Sequence, residues 1–109
     1  MFDYSATIAK VIDGDTVDLI VDLGFHVSVA IRTRLLGIDA PEVSTAEGKV
    51  ARDRLRAELP FGLTVALHTE KDPGDKYGRW LAQIIGPNGD VAQWMVAEGL
   101  ARPYFGGAR

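Results

Sequence analysis

A chain of 109 residues is one ordinary domain, long enough to bury a core without disulfide or metal staples. Apolar residues at 47% and charged residues at 25% exclude a disordered tail and a fibrous repeat, and the absence of cysteine excludes a disulfide scaffold, a thiolate metal site and a cysteine nucleophile. The net charge of −3 is unevenly spread: residues 1–47 hold eight Asp/Glu against three Lys/Arg, whereas residues 48–109 hold seven against nine. Taken alone this is an uneven but ordinary surface; the functional alternative is that surplus carboxylates in the first part suit a bound cation and the basic second part an anion.

The predicted elements begin with a mixed strand over Ser5–Ile12. Val17, Leu19, Val21 and Leu23 then alternate with polar or outward positions at period two, and after Gly24 the alternation resumes at Val27, Val29 and Ile31 and runs on to Leu36. Two such runs flanking a glycine predict a long hairpin. Ser44-Thr45-Ala46-Glu47 has the form of a capping box with Ser44 at the cap, and the helix it opens presents Ala51, Leu55 and Leu59 on one face before Pro60 stops it. Gly62–Thr69 is a fourth strand with Leu63, Val65 and Leu67 on one face, and Trp80–Ile85 is a fifth, closed by the turn Gly86-Pro87-Asn88-Gly89. A second helix starts near Asp90, with Gln93 three residues on, buries Val91 with Trp94 or Met95, and ends at Gly99. Three strands, a helix, two strands and a second helix predict an α+β/all-β fold, a single five-stranded OB-fold barrel spanning residues 1–109. A generic α+β domain with an open sheet is the alternative.

No Walker, dinucleotide-binding or nucleophile-elbow motif occurs, and an EF-hand fails because Asp18 and Gly24 stand where Gly and Glu are needed. His26 and His68 fall on different strands without ligand spacing. Asp13-Gly14-Asp15-Thr16, taken alone, reads as turn chemistry. The run from Arg34 through Gly37 and Asp39-Ala40-Pro41-Glu42 brings a strand-end arginine and two carboxylates onto one rigid segment, or else a helix approach with acids near its positive end. Asp75-Lys76-Tyr77-Gly78-Arg79 is a polar loop tip with two cations and an aromatic. Lys49, Arg52 and Arg56 share a helix face interrupted by Asp53 and Glu58, as a solvated face would be.

In order and spacing, these three segments together with Gly99-Leu100-Ala101 resemble the staphylococcal (micrococcal) nuclease family, from about Ser5 to Tyr104. The resemblance implies the same OB barrel, a Ca²⁺ site and a phosphodiesterase centre. Asp15 and Asp39 match metal-binding carboxylates, and Ala40 matches a position that offers the metal its main-chain carbonyl. Glu42 matches the residue assigned to the attacking water, Arg34 and Arg79 the two phosphate-gripping arginines, and Lys76 and Tyr77 residues that touch a terminal phosphate. Tyr104 or Phe105 matches an aromatic set against a base or sugar. Many members continue into another helix where this chain ends.

The chemistry needs these types. Arginine forks pair with phosphoryl oxygens at any working pH. A hard cation on oxygen ligands neutralises growing charge. A carboxylate in reach of water acts as general base, typically worth about 10² to 10⁴ in rate.

The expectation is a calcium-dependent nuclease with DNA or RNA as substrate and little sequence preference, leaving a 3′-phosphate, and monomeric. The alternative is a non-catalytic OB module that binds single-stranded nucleic acid or a protein partner. A third is an adaptor whose barrel mouth holds a modified side chain in an aromatic cage. No apolar run approaches the roughly 18 residues of a membrane span. Met1-Phe2-Asp3-Tyr4-Ser5 lacks the regions of a signal peptide. No membrane partner is therefore expected, and the location is cytoplasmic, or outside the cell if this is a mature form.

Overall fold

A computed structural model describes residues 2–71 and 80–104. In chain order the elements are β1 (Phe2–Asp13), β2 (Thr16–Asp22), β3 (Ser28–Leu35), β4 (Ile38–Asp39), α1 (Ala46–Glu58), β5 (Thr64–Lys71), β6 (Trp80–Gly86), β7 (Gly89–Asp90), α2 (Val91–Ala97) and β8 (Arg102–Pro103). The main sheet runs β3-β2-β1-β5-β6-β7, and it closes where Thr33, Arg34 and Leu35 pair in parallel with Trp80, Leu81 and Ala82. Five antiparallel or parallel strands thus form a closed mixed barrel with two helices, the OB-fold that the order of elements predicts.

Closure depends on β1 serving two neighbours. Its first half pairs with β5 and most of its length pairs with β2, and register shifts between Ile8 and Lys10 and between Val11 and Asp13 bend it between the two. Bulges of this kind add the curvature a small barrel requires. The inward alternation is clean on β2, where Val17, Leu19 and Val21 are buried while Ile20 and Asp22 are exposed. These side chains meet Ile8 and Val11 of β1, Val65 and Leu67 of β5 and Ile84 of β6. Ala51, Leu55 and Leu59 from α1 and Val91 and Met95 from α2 complete one continuous core.

Several boundaries differ from expectation: β1 covers Phe2–Asp13 rather than Ser5–Ile12, and β5 covers Thr64–Lys71 rather than Gly62–Thr69. The α1 cap is Thr45 rather than Ser44: its Oγ1 accepts from the Gly48 N–H at 3.0 Å and donates to the Glu42 carbonyl at 2.6 Å, a pair of bonds Ser44 does not make. The β2–β3 hairpin also runs past the barrel. Val27 and Val29, which continue the apolar alternation, are 52% and 42% exposed, because β6 pairs with only the last three residues of β3. Gly24, Phe25 and His26 turn its tip with φ of 80°, 55° and 63°, and Phe25 is fully in solvent. The α2 limits agree with expectation: Asp90 caps it by accepting from the Gln93 N–H at 3.2 Å, and Gly99 follows it at φ 73°. Trp94 is half-buried under Arg54, while Met95 is the side chain in the core. His68 lies beside Asp3 on the β1–β5 pair, and His26 is exposed at the hairpin tip. Among the described residues no helix is long and apolar enough to cross a membrane.

Leu55 carries the α1 contact with the barrel and is completely buried. Leu55→Ala is expected to lower unfolding free energy by about 2–5 kcal/mol, measured by urea denaturation of parent and variant.

Candidate active site at the barrel mouth

Closing the barrel brings two distant turns together. The β1–β2 turn presents Asp13 and Asp15, and the segment after β3 presents Asp39, Ala40 and Glu42. The backbone ties the two: the Leu35 N–H donates to the Asp15 carbonyl at 2.8 Å, and the Ala40 N–H donates to Asp15 Oδ2 at 3.0 Å.

Arg34 stands between them. It is 3% exposed, and its Nη1 donates to the carbonyls of Leu35 at 3.2 Å and Ile38 at 3.0 Å. Its Nη2 lies 3.3 Å from Asp15 Oδ2 and 3.4 Å from Asp39 Oδ1. The Tyr104 ring covers the guanidinium, with the centroid 5.8 Å away. A guanidinium this buried is tolerable only when its N–H groups and charge are matched, and here both are.

Asp15 is the more constrained carboxylate, at 8% exposure. Burial pushes its carboxyl up to about 6, and the neighbouring Asp13, by side-chain hydrogen bonding and by charge, pushes the same way. The Ala40 N–H and the Arg34 charge pull it down without cancelling the rise. The Thr16 hydroxyl donates to Asp15 Oδ1 at 3.2 Å, and Asp13 Oδ1 accepts the Asp15 N–H at 3.1 Å. Asp39 is bridged from both sides, by Arg34 at Oδ1 and by Arg102 Nη2 at Oδ2, the latter at 3.0 Å.

Glu42 is exposed, on a loop whose backbone is pinned. Its carbonyl accepts both the Thr45 N–H, at 3.0 Å, and the Thr45 hydroxyl. The first turn of α1 presses so closely on it that a Cβ built on Gly48 would lie 1.7 Å from the Glu42 oxygen. Gly14 plays the same part on the other turn: a Cβ there would meet Ala40 Cβ at 2.8 Å and Ala51 Cβ at 3.0 Å. Bare backbone at these two positions lets both carboxylate-bearing turns sit against α1.

Of the residues singled out in the sequence, Arg34, Asp15, Asp39, Ala40 and Tyr104 therefore converge, and Glu42 lies three residues beyond Asp39 on the same segment. Lys76, Tyr77, Arg79 and Phe105 lie outside the described residues. Arg52 pairs with Asp53 at 3.0 Å and Arg56 donates to the Val11 carbonyl at 3.2 Å, so both serve the helix and its docking. Arg102 and Gly48 escape sequence reasoning, and Gly14 reads there only as a turn residue. A glycine in the first turn of a helix is a readable sign of close packing, but nothing near Arg102 in the chain marks its reach to Asp39.

Among the described residues no group of three or more His, Cys, Asp or Glu side chains is arranged around one point as a metal cage. Asp15 and Asp39 can still offer hard oxygen donors beside the Ala40 main chain, with solvent or substrate completing a shell. Asp15 and Asp39 share Arg34, Asp39 also meets Arg102, and Asp15 stays above its ordinary range chiefly because it is buried, with Asp13 beside it adding to the rise.

A buried arginine–carboxylate mouth on an OB barrel defines a class that the comparisons make specific. The family model described as staphylococcal nuclease homologue matches residues 32–108, and the chain belongs to that family. It is 39% identical over 111 residues to a protein named micrococcal nuclease from Shigella flexneri, covering 94% of this chain and 59% of that one. A thermonuclease of Staphylococcus intermedius is 34% identical over 107 residues, covering 93% of this chain and 60% of its own. Endonuclease YhcR of Bacillus subtilis is 30% identical over 115 residues, which is 94% of this chain and 9% of that longer protein. The chain thus spans about three-fifths of the first relatives it matches.

Gly48→Ala would ordinarily favour a helix by about 1 kcal/mol. Here the added methyl collides with backbone, and a net loss of about 1–3 kcal/mol is expected instead, read from denaturant midpoints.

Asp15 sets a pH dependence. Its folded carboxyl titrates near 6 and its ordinary value is 3.8, so between these values the folded state holds the extra proton. Its contribution to stability therefore falls as pH rises from about 4 to about 6 and is fully lost above that, by on the order of 2–3 kcal/mol. Asp15→Asn removes this slope. The difference in unfolding free energy between variant and parent, measured from pH 4 to 7, should shift in the variant's favour as pH rises.

Proposed function

We propose that this chain is a calcium-dependent phosphodiesterase that hydrolyses DNA, with RNA as a second polymer, and with little sequence preference. The observation that carries the proposal is the sharing of Arg34 Nη2 between Asp15 and Asp39, at the start of the segment that bears Glu42. Relatives named micrococcal nuclease, thermonuclease and endonuclease support the same reading.

A phosphodiester is an anion whose oxygens gain charge as water attacks. Asp15, Asp39 and the Ala40 carbonyl would hold the calcium ion, which when bound supplies charge neutralisation at the phosphate. Arg34 keeps its guanidinium in one orientation because Leu35 and Ile38 carbonyls hold Nη1, leaving Nη2 and the charge on the carboxylate side where a phosphoryl oxygen would gain most. Glu42, in solvent and free of the crowding at Asp15, is the group to accept the proton of the attacking water. Its pinned backbone limits how far that carboxylate wanders, and orientation of this sort is a large part of rate. Arg79, Lys76 and Tyr77 would add hydrogen bonds to the non-bridging and terminal phosphate oxygens. Tyr104, with one face on Arg34, braces the arginine before it touches any base.

The test is cleavage of single-stranded and duplex DNA in calcium and in excess chelator, for the parent and for Glu42→Gln. Calcium-dependent cleavage by the parent, and turnover lowered by about 10² or more in the variant at an unchanged melting temperature, are expected. Equal turnover in chelator would overturn the calcium assignment, and full activity of the variant would overturn the role of Glu42.

A further inference from the structure

Arg102 combines a fixed backbone with an exposed side chain. Its backbone is held in register, since Arg102 is the direct cross-strand partner of Asp39 in the β4–β8 pair and the Tyr104 N–H continues that pairing by donating to the Gly37 carbonyl at 2.8 Å. Its side chain, by contrast, is 72% exposed, while the Asp39 side chain it grips is 20% exposed. Arg34 differs in every respect, being buried and fastened by two carbonyls and two carboxylates. An ion pair with one partner in water is weak and yields easily. The chain carries a net charge of −3, so an exposed cation at this mouth is a valuable contact for a polyanion.

We infer that Arg102 is a substrate-binding cation that exchanges carboxylate for phosphate: in the free protein it holds Asp39 Oδ2, and in the complex it holds a phosphate of the nucleic acid. The inference rests on the reading of Asp15 and Asp39 as the cation site. Arg102 and a metal ion are like charges on one carboxylate, so each opposes the other. A phosphate that draws the arginine fork away removes one charge that competes with the cation for Asp39, and the paired N–H groups of the fork suit two phosphate oxygens. Metal and nucleic acid then strengthen each other's binding by one common factor, as linkage requires. Cation uptake without nucleic acid is held back by the same contact.

The experiment is calorimetric titration with calcium chloride of the parent, Arg102→Ala and Arg102→Lys, with and without a nucleoside 3′,5′-bisphosphate, and a thermal melt of each protein to establish folding. Without nucleotide, Arg102→Ala should bind calcium about 2- to 5-fold more tightly than the parent. In saturating calcium it should bind the bisphosphate about 10-fold more weakly. The mutual enhancement should shrink accordingly. Arg102→Lys, which keeps the charge and loses the fork, should retain the weaker calcium binding and recover only part of the nucleotide affinity. A strut that merely holds β8 to β4 would give the opposite sign, with calcium bound more weakly by Arg102→Ala, and that result or an unchanged calcium affinity overturns the exchange. Unchanged nucleotide affinity overturns the phosphate contact. If the parent takes up no calcium under either condition, the cation site itself fails, and the exchange with it.

Discussion

The mouth of this barrel is organised around one buried guanidinium. Removing an arginine from water is costly, and the cost is offset only by a full set of acceptors and opposing charge. Arg34 obtains the acceptors from the turn that follows its own strand and the charge from two carboxylates, one across the β1–β2 turn and one on β4. Its position in the three-residue parallel contact between β3 and β6 means that closing the barrel and burying the arginine are the same event. Arg34, Asp15 and Asp39 are therefore assembled by a requirement of folding.

Small residues determine how near those pieces come. Gly14 admits Ala40 and Ala51 against the β1–β2 turn, and Gly48 lets the start of α1 rest on the Glu42 backbone. Thr45 uses one hydroxyl twice, as helix cap and as tether for that same carbonyl. The helix is thus the floor on which both acidic turns sit. Its apolar stripe of Ala51 and Leu55 holds it to the core, while Arg54 joins it to α2 through Glu98 at 2.6 Å and through the Trp94 ring.

Among the described residues Arg34 and Arg102 meet Asp15 and Asp39, and Asp15, buried with Asp13 beside it, keeps a raised carboxyl even with an arginine in contact. A site that is fully neutralised resists a cation, and one with no arginine would repel itself. Between these limits the fold keeps two carboxylates close enough to act together, with one counterion locked in place and another at the surface.

The sequence by itself determined the barrel and marked the two acidic segments that the fold brings together. Period-two alternation on β2, the apolar stripe at Ala51, Leu55 and Leu59, and the Asp90 and Gly99 ends of α2 are local patterns, and local sterics and capping decide them. The motifs around Asp15 and Arg34 to Glu42 were visible for a related reason, since turn and loop chemistry is written in a few adjacent residues. Other features needed the closed structure. Val27 and Val29 continue an inward alternation but lie outside the cover of β6, because only the length of the parallel contact fixes where the core ends. Thr45 rather than Ser44 caps α1 because it alone reaches both Glu42 and Gly48. Arg102 meets Asp39 across 63 residues of chain, and Arg34 meets Asp15 across 19. Which acid an arginine pairs with, and whether that pair is buried or wet, depends on strands far apart in the chain becoming neighbours, and no local pattern encodes that distance.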